Sequence, residues 1–185
     1  MSEERIPQSK GKKVYLAGPD VFFQDPTAHF AKLRAACSAR GLVGLVPSDG
    51  GLSVGYTGTP REIAERIYRE NIALIRQADA VIANLMAFRN PVEPDPGTVF
   101  EVGFAVALGK PVVGYFPQAD ELYEDRVRAA YGERLVDGKP FDVSYGLLVE
   151  ALQQPLNLML ACSTPMFTNE TRALDHVAAL LASTD

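Results

Sequence analysis

Asp79-Ala-Val-Ile-Ala-Asn-Leu85 decides the fold class of this chain. It is a short apolar run of the kind that forms a strand buried on both faces. A loop with three prolines follows, Pro91, Pro94 and Pro96, and leads into Asp95-Pro-Gly-Thr-Val-Phe-Glu101-Val-Gly-Phe-Ala. Thr98 to Leu108 has helical character and Gly109 closes it. Pro111-Val-Val-Gly-Tyr-Phe116 is the next strand. Strand, loop, helix and strand in this order form a crossover unit, which makes the two strands parallel.

The same alternation extends outward. Val14-Tyr-Leu-Ala17 is a strand ended by Gly18-Pro19. Pro26 to Arg40 has helical spacing, with Phe30, Leu33 and Cys37 on one face and Gly41 as its stop. Leu42-Val-Gly-Leu-Val46 is a strand cut off by Pro47, and Ser48 to Thr59 is a Gly- and Ser-rich loop. Pro60 suits the first turn of a helix whose buried side carries Ile63, Ile67, Ile72 and Ile75. Met166-Phe167 supplies a last short strand, and Asn169 to Ser183 a final helix with Leu174, Val177, Leu180 and Leu181 on its apolar side. The pattern predicts an α/β fold: a doubly wound, mostly parallel five-stranded sheet of order 2-1-3-4-5, flavodoxin-like or Rossmann-like, with helices on both faces. Tyr145 to Ala161 reads as a helix broken by Pro155. Gln118 to Ser144 reads as an excursion over the active-site mouth or at a subunit contact, with a short helix around Glu124 to Tyr131.

Bulk properties narrow the function. The 185 residues suit one domain, read as residues 13–185 behind a flexible arm of residues 1–12. A formal net charge of −5 argues against a nucleic-acid backbone as partner, yet leaves room for a nucleoside. The two cysteines, Cys37 and Cys162, lack metal-ligand spacing and read as small buried thiols. No apolar run has the length of a membrane span, and the N-terminus lacks the core of a signal peptide, so a cytoplasmic location is expected. Dinucleotide, P-loop and Gly-x-Ser-x-Gly fingerprints are all missing, and His29 and His176 read as ordinary helix-face residues.

Asp95 and Glu101 therefore stand near the carboxyl end of a buried strand, where open α/β sheets bind ligands. Thr98 and Glu101 match a capping box, in which each side chain caps the other's backbone. A carboxylate in a first helical turn also feels the positive end of the dipole, which suits an ionised nucleophile. Asp95 reads either as a turn residue or as the second carboxylate that glycosidic chemistry needs. In a 2-1-3 sheet, Tyr15, Asp20, Phe22 and Phe23 face this loop. Tyr15 reads as a core tyrosine or a site residue, and the aromatic pair as core or as a stacking surface for a flat base.

Together these residues resemble the nucleoside 2-deoxyribosyltransferase family. The anchors are Val14-Tyr-Leu-Ala-Gly-Pro19, Leu45-Val-Pro-Ser-Asp49, Asp79 to Leu85, Phe88-Arg89, Glu93-Pro-Asp-Pro-Gly-Thr-Val-Phe-Glu-Val-Gly103 and Pro155-Leu-Asn-Leu-Met159. The resemblance implies Glu101 as a nucleophile that forms a covalent deoxyribosyl-enzyme, with Asp95 near the sugar and base and helping to protonate the departing base. It implies Tyr15 as the residue that positions Glu101. Asn71, Asn157, Gly18, Asp20, Phe22, Asp49 and Gly97 would bind substrate, with Asn157 donated to a neighbour's site in a homo-oligomer. The implied partners are 2′-deoxynucleosides and free nucleobases, with no metal or redox cofactor. Asn71 departs from relatives that carry Asp there. The rival readings are an N-glycosidase acting on deoxynucleosides or their 5′-monophosphates, and a non-catalytic nucleoside-binding module.

Overall fold

A computed structural model describes residues 11–48 and 55–183. Its elements are β1 (Lys12–Ala17), α1 (Pro26–Ser38), β2 (Leu42–Leu45), α2 (Pro60–Gln77), β3 (Ala80–Asn84), α3 (Pro96–Ala107) and β4 (Val112–Tyr115), followed by α4 (Tyr123–Tyr131), β5 (Glu133–Val136), β6 (Lys139–Asp142), α5 (Leu158–Ala161), β7 (Met166–Phe167) and α6 (Glu170–Ala182). A five-stranded sheet runs in the order β2-β1-β3-β4-β7, and every pairing in it is parallel. This is the doubly wound order expected, with β7 as the fifth strand. β1 opens at Lys12, so the arm read over residues 1–12 falls almost wholly outside the described residues.

Strand periodicity splits the core in two. Val14 and Leu16 of β1, Ala80 and Ile82 of β3, and Val113 and Tyr115 of β4 face α1 and α6. Their alternates, Tyr15 and Ala17, Val81 and Ala83, and Val112, face α3 and the end of α2. Both faces are covered, which is why the strands read as unbroken apolar runs. Parity thus puts Tyr15 on the side of α3.

Several expectations need correction. α3 starts at Pro96, two residues before Thr98, because Asp95 takes the N-cap and accepts from the Thr98 backbone N–H. Thr98 and Glu101 therefore form no capping box, and Glu101 lies past the first turn. The dipole argument for its ionisation weakens accordingly, since that effect fades beyond the first turn. The capping box occurs instead at α2, between Thr59 and Glu62, with Pro60 in the first turn as expected. On α2 only Ile75 is fully buried. Cys37 is buried but Cys162 is exposed.

The segment from Tyr145 to Asn157 is not helical. Its backbone turns to the neighbouring hairpin: Val149 N–H donates to Pro140 O at 2.9 Å, and Leu147 O accepts from Asp142 N–H at 2.9 Å. That hairpin, β5 with β6, turns on Asp137-Gly138 with φ of 51° and 75°. An Asp-Gly pair is a strong hairpin signal, overlooked in the sequence because the segment is so polar. Val92, Val127 and Val149 form a small satellite core that holds this excursion to the loop before α3.

Candidate active site

The sheet reverses its order between β1 and β3, and their carboxyl ends open a cleft there. Gly18, Phe22, Asn71, Asp95, Gly97 and Glu101 line a space of about 190 Å³. Each reaches it for a local reason. Asp95 is fixed by its cap: Oδ2 accepts from the Thr98 backbone N–H at 2.7 Å and from its hydroxyl at 2.9 Å. Pro96 supplies the fixed φ of a first helical position. Gly97 keeps this turn uncrowded: a Cβ there would stand 3.0 Å from Asp95 Oδ2, a tight contact that the carboxylate would have to yield to by a few tenths of an ångström.

Glu101 projects toward the sheet from the next turn of α3. The Tyr15 hydroxyl donates to its Oε1 at 2.6 Å. The Tyr15 side chain is wholly buried, at 0% exposure, so the ring acts as a fixed post beneath the carboxylate. Asn71 on α2 accepts from the Ser48 backbone N–H at 2.8 Å and its hydroxyl at 2.9 Å, which ties the loop after β2 to the cleft. Asp49 lies outside the described residues.

Asp20 is not a lining residue. It is 2% exposed and turned inward, where Asn84 Nδ2 donates to both its oxygens at 3.1 Å and His29 Nε2 approaches to 2.5 Å. Burial pushes its carboxyl above the ordinary range, against the opposing pull of the Asn84 amide and His29. The reason is steric and local: a short 3-10 turn over Pro19–Phe22 folds Asp20 back under Gly18. A Cβ at Gly18 would meet Asp20 Oδ2 at 2.0 Å and Asn84 Cβ at 2.9 Å. Phe22 and Phe23 part company as well. Phe22 is 49% exposed and lines the cleft, whereas Phe23 turns to the His29 ring at 4.8 Å.

Asn157 does not reach this cleft within one chain. It caps α5, accepting from Met159 N–H at 3.0 Å and donating to Glu150 at 2.8 Å. It borders a different, mostly apolar cavity of about 650 Å³, between α3 and α5. That cavity is larger, but it contains neither Glu101 nor Asp95. Among the described residues no cluster of His, Cys, Asp and Glu suits a metal ion, and no helix is long and apolar enough to cross a membrane.

An anchored carboxylate and a second one at a helix N-cap, beside an exposed aromatic ring, match the needs of N-glycosidic bond exchange. The family model for nucleoside 2-deoxyribosyltransferase matches residues 14–159. The chain belongs to the nucleoside 2-deoxyribosyltransferase family. The solved 2-desoxiribosyltransferase from Leishmania mexicana is 34% identical, covering 91% of this chain and 97% of that one, with a TM-score of 0.67. An uncharacterized Schizosaccharomyces pombe protein, C191.05c, is 33% identical over 137 residues, 70% of this chain and 64% of its own length. The mouse 5-hydroxymethyl-dUMP N-hydrolase is 36% identical over 78 residues, 42% of this chain and 39% of its own. Family and fold thus support deoxyribosyl transfer or a related N-glycosidase activity.

Sequence reasoning missed Asn84 and His29 in this region. Asn84 had a signal, a polar residue at the end of an apolar strand. His29 had none, because its partner Asp20 comes from a separate turn.

Proposed function

We propose that this family member exchanges the nucleobase of a 2′-deoxynucleoside by double displacement. Glu101 attacks C1′, the bond to the base breaks, and Asp95 assists protonation of the departing base. A second base then attacks C1′ from the vacated face, and the Glu101 carboxylate leaves. Two inversions give net retention, each through an oxocarbenium-like transition state. The absent 2′-hydroxyl withdraws less charge from that transition state. Tyr15 acts as a positioning residue. Gly18, Phe22, Asn71 and Gly97 shape the binding surface, and Asp49 is assigned to substrate binding on the family resemblance alone. Asp20 supports that surface from beneath.

The observation that carries the reading is the 2.6 Å bond from buried Tyr15 to Glu101 at the edge of the cleft. It holds one carboxylate oxygen still, as an attacking group requires. The proposal extends to a homo-oligomer in which Asn157 completes a neighbour's site. Apolar side chains left open on α3 and α5 support it: Phe100 is 52% exposed and Met159 72%. A cytoplasmic setting, with Cys37 and Cys162 as free thiols, is part of the same reading.

Purified protein given 2′-deoxyinosine and adenine should produce 2′-deoxyadenosine, and Glu101→Ala should abolish this without unfolding the chain. Turnover by that variant at the wild-type level would sink the assignment. Release of hypoxanthine and free deoxyribose without exchange would favour the second reading, an N-glycosidase, which the likeness to the mouse N-hydrolase supports.

A further inference from the structure

Phe88-Arg89 has no part in the chemistry above, yet both side chains pack against Phe22, which lines the cleft. The Phe22 and Phe88 rings stack with centroids 5.3 Å apart. The Arg89 guanidinium lies over both, 4.5 Å from the Phe88 centroid and 5.2 Å from that of Phe22. Phe22 therefore carries the cation and lines the cleft at once. Among the described residues no carboxylate pairs with Arg89.

The loop holds this arrangement in place. Arg89 has φ of 58°, in the left-handed region that side chains other than glycine seldom occupy. Asn90 fastens the turn around it. Its Nδ2 donates to Phe88 O at 2.9 Å and Glu93 O at 3.2 Å, and its Oδ1 accepts from Val92 N–H at 2.9 Å and Glu93 N–H at 2.6 Å. Val92 is buried in the satellite core, and Arg126 donates to its carbonyl. The excursion after β4 thus braces the loop that presents Arg89.

We propose that Arg89 reads the nucleobase and selects bases that present a carbonyl oxygen. This rests on the base-exchange reading above. A flat base stacked on Phe22 brings its polar edge beside the guanidinium. Arginine has N–H donors and no acceptor. It matches an edge of two acceptors, a carbonyl oxygen next to a ring nitrogen, as in hypoxanthine and guanine. It opposes the amino donor of adenine. The two carboxylates of the cleft, Asp95 and Glu101, favour this neutral ligand over a phosphate.

The test is base release from 2′-deoxyinosine and from 2′-deoxyadenosine, with enzyme in excess, so that no acceptor enters. Wild type should prefer 2′-deoxyinosine. Arg89→Met keeps the stem on the rings and removes the donors. It should lower the preference by about 5- to 150-fold, the worth of one bidentate contact. The loss should fall on 2′-deoxyinosine, with 2′-deoxyadenosine within about threefold of wild type. Equal losses on both donors, or an unchanged preference, would overturn the proposal. So would a loss confined to 2′-deoxyinosine 5′-monophosphate, which would make Arg89 a phosphate contact. Calorimetry with free hypoxanthine and adenine decides the recognition even where no base is released: Arg89→Met should weaken hypoxanthine alone. A wild type that binds hypoxanthine but releases no base from any donor defeats the exchange reading and leaves the Arg89 assignment standing.

Discussion

Tyr15→Phe removes one oxygen atom and leaves the buried ring in place. Tyr15 is fully enclosed, and phenylalanine fills the same volume, so little repacking is expected. What is lost is the O–H that donates to Glu101 Oε1 at 2.6 Å. A hydrogen bond to a charged group contributes roughly 1.5–3 kcal/mol. Glu101 is half-buried and can recover water, so the stability cost should stay near 1 kcal/mol, or about 2–4 °C in Tm. The catalytic cost should be larger, because a carboxylate that has lost this bond samples more orientations that do not face C1′. If the whole bond energy serves orientation in the transition state, base release slows by about 10- to 150-fold. The assay is single-turnover base release beside a thermal melt, with KM measured in the steady state. A kcat loss with KM nearly unchanged fits a positioning role. Release within twofold of wild type would refute the reasoning. A melt lowered by more than about 10 °C would show instead that the hydroxyl is structural.

Gly18→Ala drives a methyl group to 2.0 Å from Asp20 Oδ2 and 2.9 Å from Asn84 Cβ, so denaturant unfolding should show a loss of about 1–3 kcal/mol; an unchanged midpoint would contradict the contact. Asp20 carries a folded pKa raised above its unfolded value of about 3.9. Between the two values the folded state holds more protons, so this group's contribution to stability falls as pH rises through that window. Asp20→Asn removes the titration, and urea midpoints from about pH 4 upward should move in the variant's favour relative to wild type, whereas a pH-independent difference would count against a buried, penalised carboxylate. Glu101→Ala and Asn157→Ala should each be inactive alone, yet equal mixtures of reassembled subunits should regain about a quarter of wild-type activity, because hybrid dimers contain one intact site. Absence of any regain would remove Asn157 from the neighbour's site.

The sequence by itself determined the layer architecture. Apolar runs such as Asp79 to Leu85, spaced by helical segments, allow little besides a parallel sheet covered on both faces. It also marked Gly18, Asp95 and Glu101 as belonging to one region, because that fold puts the ends of β1 and β3 side by side. Tertiary structure decided which way each side chain looks. Within an unbroken apolar strand nothing local separates one face from the other, so only the sheet's packing sets Tyr15 against α3. Asp20 and Phe22 are two residues apart on one turn, yet one is buried against Asn84 and the other is open at the cleft. The start of α3 shifted because Asp95 competes with Thr98 for the cap, and both match a capping pattern. The stretch from Tyr145 to Asn157 has helical spacing, but the β6 edge offers its backbone partners that a lone helix cannot outbid. Short-range pattern carries period and polarity. Direction within a site depends on contacts between residues far apart in the chain, such as Tyr15 with Glu101 and Asn84 with Asp20.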